Sequence, residues 1–134
     1  MGRPFLDYVE DDKSPRFVCA HCSCDIATTS ALVWEGYMAH QTPAYLFRDT
    51  VNVEAFTPER QEQLSTGMYV LADVRCRSCC TPFGWRYISA LSENQKYKER
   101  TTLVQKSCLR RQSPETTPTW PRFLSRTLPV EVVQ

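Results

Sequence analysis

No stretch of this 134-residue chain is apolar for long enough to act as a secretory leader or to span a bilayer, and no Asn-x-Ser/Thr acceptor occurs. Those absences point to a reducing compartment, cytosol or nucleus. Missing too are His-Glu-x-x-His, a phosphate-cradling glycine-rich loop and Gly-x-Ser-x-Gly, so the main signatures of hydrolases and nucleotide enzymes are excluded. Net charge is also scarce: sixteen basic against fifteen acidic residues leave +1, and no global field draws the chain to nucleic acid or an anionic membrane. Gly2 invites N-myristoylation, but Leu6 stands where that motif wants Ser or Thr.

Cysteine is what the chain has in excess. Seven in a short sequence would suit a disulfide scaffold, yet the number is odd and four fall into two Cys-x-x-Cys turns, Cys19-Ala20-His21-Cys22 and Cys76-Arg77-Ser78-Cys79. Such a turn presents two thiolates at the separation a tetrahedral ion needs, and two turns complete a four-sulfur shell. The turns stand too far apart in sequence for a short zinc ribbon, so one structural zinc ion held by Cys19, Cys22, Cys76 and Cys79 is expected to join distant parts of one domain. A closed sulfur shell leaves no position for an activated water. Cys24, Cys80 and Cys108 are left over, as alternate ligands, redox-sensitive thiols or small apolar residues. His21 sits inside the first turn and could replace a sulfur, but with four cysteines present it is read as a loop residue; His40 has no recognisable partner.

Along the chain, strands outnumber helices. Met68 to Cys76 alternates cleanly, with Met68, Val70, Ala72 and Val74 on one face and Tyr69, Leu71, Asp73 and Arg75 on the other. Phe17-Val18, Ala31 to Trp34, two short runs within Tyr45 to Val53, Phe83 to Ile88 and Thr101 to Gln105 read as further strands, and Asp25 to Ser30 and Tyr37 to Pro43 as connections. Thr57-Pro58-Glu59 has the cues of a helix start and Gly67 those of its end. Residues 1–16 are expected to form a mobile arm and residues 17–111 the domain. Residues 112–134, rich in Pro, Ser and Thr, are expected to be a disordered tail in which Trp120, Phe123 and Leu124 offer a short docking segment.

Phe83-Gly84-Trp85-Arg86-Tyr87 after the second turn, Gln95-Lys96-Tyr97-Lys98-Glu99 beyond it, and Ala44-Tyr45-Leu46-Phe47, Val51-Asn52-Val53, Ser65-Thr66-Gly67 and Ala72-Asp73-Val74 between the turns resemble the yippee family of small zinc-binding proteins. More remotely, the second turn followed by Gly84-Trp85-Arg86 is similar to the ligand-binding domain of cereblon and to the Mis18 proteins. The resemblance implies a mainly β fold, an antiparallel β-tent of two small sheets pinned by a four-cysteine zinc site. It also implies a nuclear or cytoplasmic protein without enzymatic activity that acts as an adaptor for protein partners, among them subunits of a CTLH-type ubiquitin ligase. Two departures stand out: many yippee sequences have His at Tyr69 and Gly at Arg100.

In cereblon-like domains the tryptophan matching Trp85 belongs to an aromatic cage. Strand geometry adds neighbours here, since Tyr69 and Leu71 share one face of their strand and Trp85 and Tyr87 one face of the next. If those faces meet, the four side chains surround a recess suited to a ligand or a partner's side chain, in place of a sealed core. The β-tent fold also hosts methionine sulfoxide reductases of the B type, a redox alternative in which Cys24, Cys80 or Cys108 would act as catalytic thiol. A basic bias from Lys96 to Arg111 admits phosphate contacts, but Glu93 and Glu99 interrupt it; it is read as a solvated face.

Overall fold

A computed structural model describes residues 15–113. The expected docking segment at Trp120, Phe123 and Leu124, with most of the expected arm and tail, lies outside the described residues. Two antiparallel sheets form the structure. In the smaller, β1 (Arg16–Cys19) lies between β10 (Leu109–Gln112) and β2 (Asp25–Thr28). Arg16 pairs with Gln112, so the strands begin and end one residue outside the boundaries read from composition. In the larger sheet the order is β3 (Leu32–Ala39), β4 (Thr42–Phe47), β9 (Thr102–Gln105), β8 (Pro82–Ala90), β7 (Gly67–Cys76) and β5 (Val53–Ala55), and β6 (Arg60–Leu64) also pairs with β7.

Three local expectations give way to pairing. The helix expected from Thr57 to Gly67 is β6, hydrogen-bonded to β7 from Arg60 opposite Leu71 to Leu64 opposite Gly67. Thr57 caps no helix; its hydroxyl accepts from the Asp73 amide at 2.9 Å. With Leu64 as its clearest apolar residue, that segment gained little from a helical stripe and much from completing a ladder. Asp25 to Thr28 is a strand, and the connection expected from Tyr37 to Pro43 shrinks to a two-residue hairpin turn at His40 and Gln41, whose φ values of 51° and 74° suit the twist of the flanking strands.

The larger sheet is buried on both faces, but at opposite ends. Period-two alternation holds along β7: Tyr69 and Leu71 face one core, and Val74 and Cys76 face the other. The same division runs through β4, with Leu46 on one side and Phe47 on the other, and through β9, with Leu103 and Val104. In β8 an extra residue at Phe83, between the pairs Arg75–Pro82 and Val74–Gly84, is a bulge that reverses the side-chain direction. Phe83 therefore joins one core while Trp85 and Tyr87 join the second. Gly84 lets β8 approach β9 closely; a Cβ there would lie 2.2 Å from the Leu103 carbonyl oxygen.

The first core lies between the sheets, where Phe17 and Ile26 meet Phe47, Phe83 and Val104. Asn52 spans the same junction. Its side-chain amide donates to the Asp25 carbonyl at 2.7 Å, its backbone carbonyl accepts from the Arg77 amide at 2.8 Å, and its side-chain oxygen accepts from the Arg77 guanidinium at 3.1 Å. Its φ of 60° is a left-handed geometry that Asn tolerates better than most residues. Arg100 also holds a left-handed φ, 71°, a conformation that favours glycine. Asn52→Leu is expected to lower stability by about 3 kcal/mol, since it strands buried partners in both sheets; urea denaturation of zinc-loaded protein measures it, and a change under about 0.5 kcal/mol would contradict this role.

Candidate metal centre and recess

The two Cys-x-x-Cys turns are built alike. In the first, the Cys19 amide donates to the Cys24 carbonyl and the Ser23 amide to the Cys19 carbonyl; in the second, the Cys76 amide donates to the Thr81 carbonyl and the Cys80 amide to the Cys76 carbonyl, all at 2.9 Å. Ser23 and Cys80, the fifth residues, take left-handed φ values of 69° and 65°. The first turn leaves the smaller sheet at the end of β1, and the second joins β7 to β8 in the larger.

Their four sulfur atoms lie within 4.8 Å of one another, with Cys19–Cys79 and Cys22–Cys76 both at 3.6 Å. Zinc–sulfur bonds of about 2.3 Å in a tetrahedron place sulfurs about 3.8 Å apart, so the set fits the ion. Charge makes the same point. Burial pushes the Cys19 and Cys76 thiols up to about 12. Burial would raise Cys22 too, but the Cys24 amide and the Ser78 hydroxyl pull it down to about 6. Four thiolates in so small a volume need a cation among them.

Likeness between the turns also locates the spare thiols. Cys24 in the first turn corresponds to Thr81 in the second; Cys24 Sγ lies 3.5 Å from Cys22 Sγ, and Thr81 Oγ1 lies 3.0 Å from Cys79 Sγ. Each sits beside the second sulfur of its own turn, and Cys24 Sγ also lies 3.5 Å from Cys76 Sγ of the other turn. Burial pushes the Cys24 thiol up to about 12, as it does Cys19 and Cys76. Cys80 is the exposed, left-handed residue of its turn. Cys108 is buried between the turns, its carbonyl accepting from the Ala20 amide at 2.9 Å and its thiol donating to the Pro82 carbonyl at 3.4 Å. His21 is exposed and stands outside the sulfur cluster.

The structure also brings Trp85, Tyr87, Tyr69 and Leu71 together in the second core. Tyr69 and Tyr87 rings are 4.9 Å apart and Trp85 and Tyr87 6.3 Å. In front of them opens a recess of about 560 Å³ lined by Trp85 and Tyr87, by Tyr37, Met38 and His40 of β3 and its turn, and by Thr66 and Lys98. Tyr69 and Leu71 are sealed behind it, both 0% exposed. Trp85 is both wall and core, since it lines the recess at 6% exposure; the expected contrast between recess and sealed core dissolves. His40 has a partner after all, its ring packing at a 57° tilt with its centroid 5.0 Å from that of Trp85.

Two comparisons bear on identity. A family model described as "Yippee zinc-binding/DNA-binding/Mis18, centromere assembly" matches residues 16–118. The chain is 37% identical over 95 residues to human protein yippee-like 3, covering 71% of this chain and 79% of that protein. It belongs to the yippee family. The zebrafish yippee-like 3 protein is 36% identical over 106 residues, 79% of this chain and 87% of the relative. A crystal structure of the Mis18 "Yippee-like" domain matches with a TM-score of 0.57 at 16% identity, covering 72% of this chain and 93% of that one. That likeness shows the fold alone, and it agrees with the two-sheet architecture above.

Of the basic residues from Lys96 to Arg111, Lys96, Arg100, Arg110 and Arg111 are exposed. Lys96 bonds the Ala90 carbonyl and Glu99, Lys98 is buried, Lys106 lies over Tyr45, and Arg111 over Phe17. Structural zinc contributes about 10–16 kcal/mol in small sites, against a net stability of about 5–15 kcal/mol for a small domain. Excess chelator is therefore expected to unfold the reduced protein, seen as loss of its thermal transition. Reloading with zinc at pH 7 should release at least two protons, from the thiols that burial holds near 12, so apparent affinity falls as pH falls. A melting curve indifferent to chelator, or uptake without acidification of a weakly buffered solution, would contradict the site.

Proposed function

We propose that this yippee protein is a non-catalytic zinc-binding adaptor that holds a protein partner through the recess beside Trp85, with the metal serving structure only. The observation that carries this reading is the pairing of a closed four-sulfur cluster with a preformed, aromatic-walled recess about as large as known ligand sites. By family resemblance, the partner is a subunit of a CTLH-type ubiquitin ligase, met in the nucleus or cytoplasm. A protein is favoured over nucleic acid because the recess has largely aromatic and apolar walls and Lys98 is the one lysine or arginine among its lining residues. The methionine sulfoxide reductase alternative draws no support from the recess, where none of Cys24, Cys80 and Cys108 is among the lining residues.

Trp85→Ala cannot test this cleanly, since truncating so buried a tryptophan costs about 3–5 kcal/mol by itself. Met38 is the better handle: it lines the recess at 58% exposure. Met38→Asp in zinc-loaded protein is expected to leave stability within about 1 kcal/mol and to lower affinity for the reconstituted ligase at least tenfold. Undiminished binding by this variant would refute the recess as the docking site, and no binding by either protein would refute the ligase as partner.

A further inference from the structure

Beneath the recess lies a buried lysine whose charge is met by no acid among the described residues. Lys98 is 2% exposed, and its ammonium donates to Thr66 Oγ1 and to the Tyr69 hydroxyl, both at 3.1 Å. Four tyrosine rings surround it, with centroids at 5.2 Å for Tyr37 and Tyr69, 5.6 Å for Tyr87 and 5.9 Å for Tyr97. The Tyr37 and Tyr97 hydroxyls close the ring of aromatics at 2.6 Å. Among the described residues no carboxylate pairs with it; the neighbouring Glu99 is taken by Lys96 at 3.4 Å. An ammonium carries three donors, and two are used.

Ring faces and hydroxyls make this burial tolerable, but they leave the charge uncompensated in a poorly solvated place, where an opposite charge is felt most strongly. Three of the groups around the ammonium, Tyr37, Thr66 and Tyr87, line the recess together with Lys98 itself. A second donor of the same wall is unsatisfied: Trp85 Nε1 is buried and makes no hydrogen bond of acceptable geometry among the described residues. The recess thus pairs apolar walls with a spare cation and a spare neutral donor.

Resting on the docking reading above, we propose that the recess selects a peptide segment by a carboxylate, set against Lys98 with apolar neighbours along Trp85 and Met38. Carboxylate is favoured over phosphate because one lysine and no arginine line the recess, whereas a dianionic phosphoryl group calls for more cations or a bidentate guanidinium. The carboxylate comes from an Asp or Glu side chain or from a chain terminus, and the two are separable by experiment.

The test is a positional-scanning array of synthetic peptides with each position fixed in turn as Glu, Gln or phosphoserine. The array is made with free and with amidated C-termini and probed with full-length zinc-loaded protein; affinities of the leading peptides follow from fluorescence anisotropy. The expected result is at least a tenfold preference for Glu over Gln at one position, or for a free over an amidated terminus. That preference should vanish in Lys98→Met while the Gln or amidated peptide binds within about threefold of wild type. The Glu-to-Gln ratio on wild-type protein stands even if the variant fails to fold. Peptides that bind and are weakened by Met38→Asp, yet show no carboxylate preference or prefer phosphoserine, overturn the inference and leave the docking reading intact. No binding by any peptide overturns both.

Discussion

Four sulfur atoms from two separate sheets must converge within a few ångströms, and most of the architecture answers to that demand. One pair is delivered by the end of β1 in the smaller sheet, the other by the hairpin between β7 and β8 in the larger. Each pair uses a left-handed residue to turn the chain back. Around them Asn52 ties Asp25 to Arg77, and Cys108 touches both turns. A metal held by the four sulfurs would act with these polar bridges at one end of a small interface that apolar packing alone would hold weakly, because a domain of this size buries a modest core.

Pinning one end frees the other for a different use. The larger sheet turns Val74, Phe83 and Val104 toward the clasp and Leu71, Trp85 and Leu103 away from it. The bulge at Phe83 makes that division possible within β8. On the far face the β3–β4 hairpin, β6 and the short 3-10 helix over Glu93–Lys98 supply the rim and floor of the recess. Aromatic side chains are thereby held at an opening, on the strands β7 and β8 that run to the second Cys-x-x-Cys turn.

What the sequence made legible was what depends on local spacing or strict alternation. Cys19, Cys22, Cys76 and Cys79 could be grouped because a Cys-x-x-Cys turn has one geometry, and β7 because its period is two. The meeting of Tyr69 and Leu71 with Trp85 and Tyr87 followed from pairing two neighbouring strands. Less visible was whatever pairing decides at a distance: Thr57-Pro58-Glu59 carries the cues of a helix, but β7 offers that segment a ladder. The place of Cys24 beside Cys22 emerges only when the first turn is laid over the second and Cys24 falls on Thr81. Lys98 was lost inside a basic run, since nothing in Lys96-Tyr97-Lys98 distinguishes the exposed lysine from the buried one. Its best signal was indirect, the crowding of tyrosines at positions 37, 69, 87 and 97. His40 was missed because a hairpin turn, not sequence proximity, lays it on Trp85.

The claim on which the rest depends is that four thiolates and no other donor close the clasp. X-ray absorption at the zinc edge of purified, reduced protein measures this directly. The account predicts one zinc per chain with about four sulfur neighbours at about 2.3 Å and no imidazole scattering. Three sulfurs with a nitrogen at about 2.0 Å, as His21 would supply, would contradict it, as would protein that purifies folded without zinc.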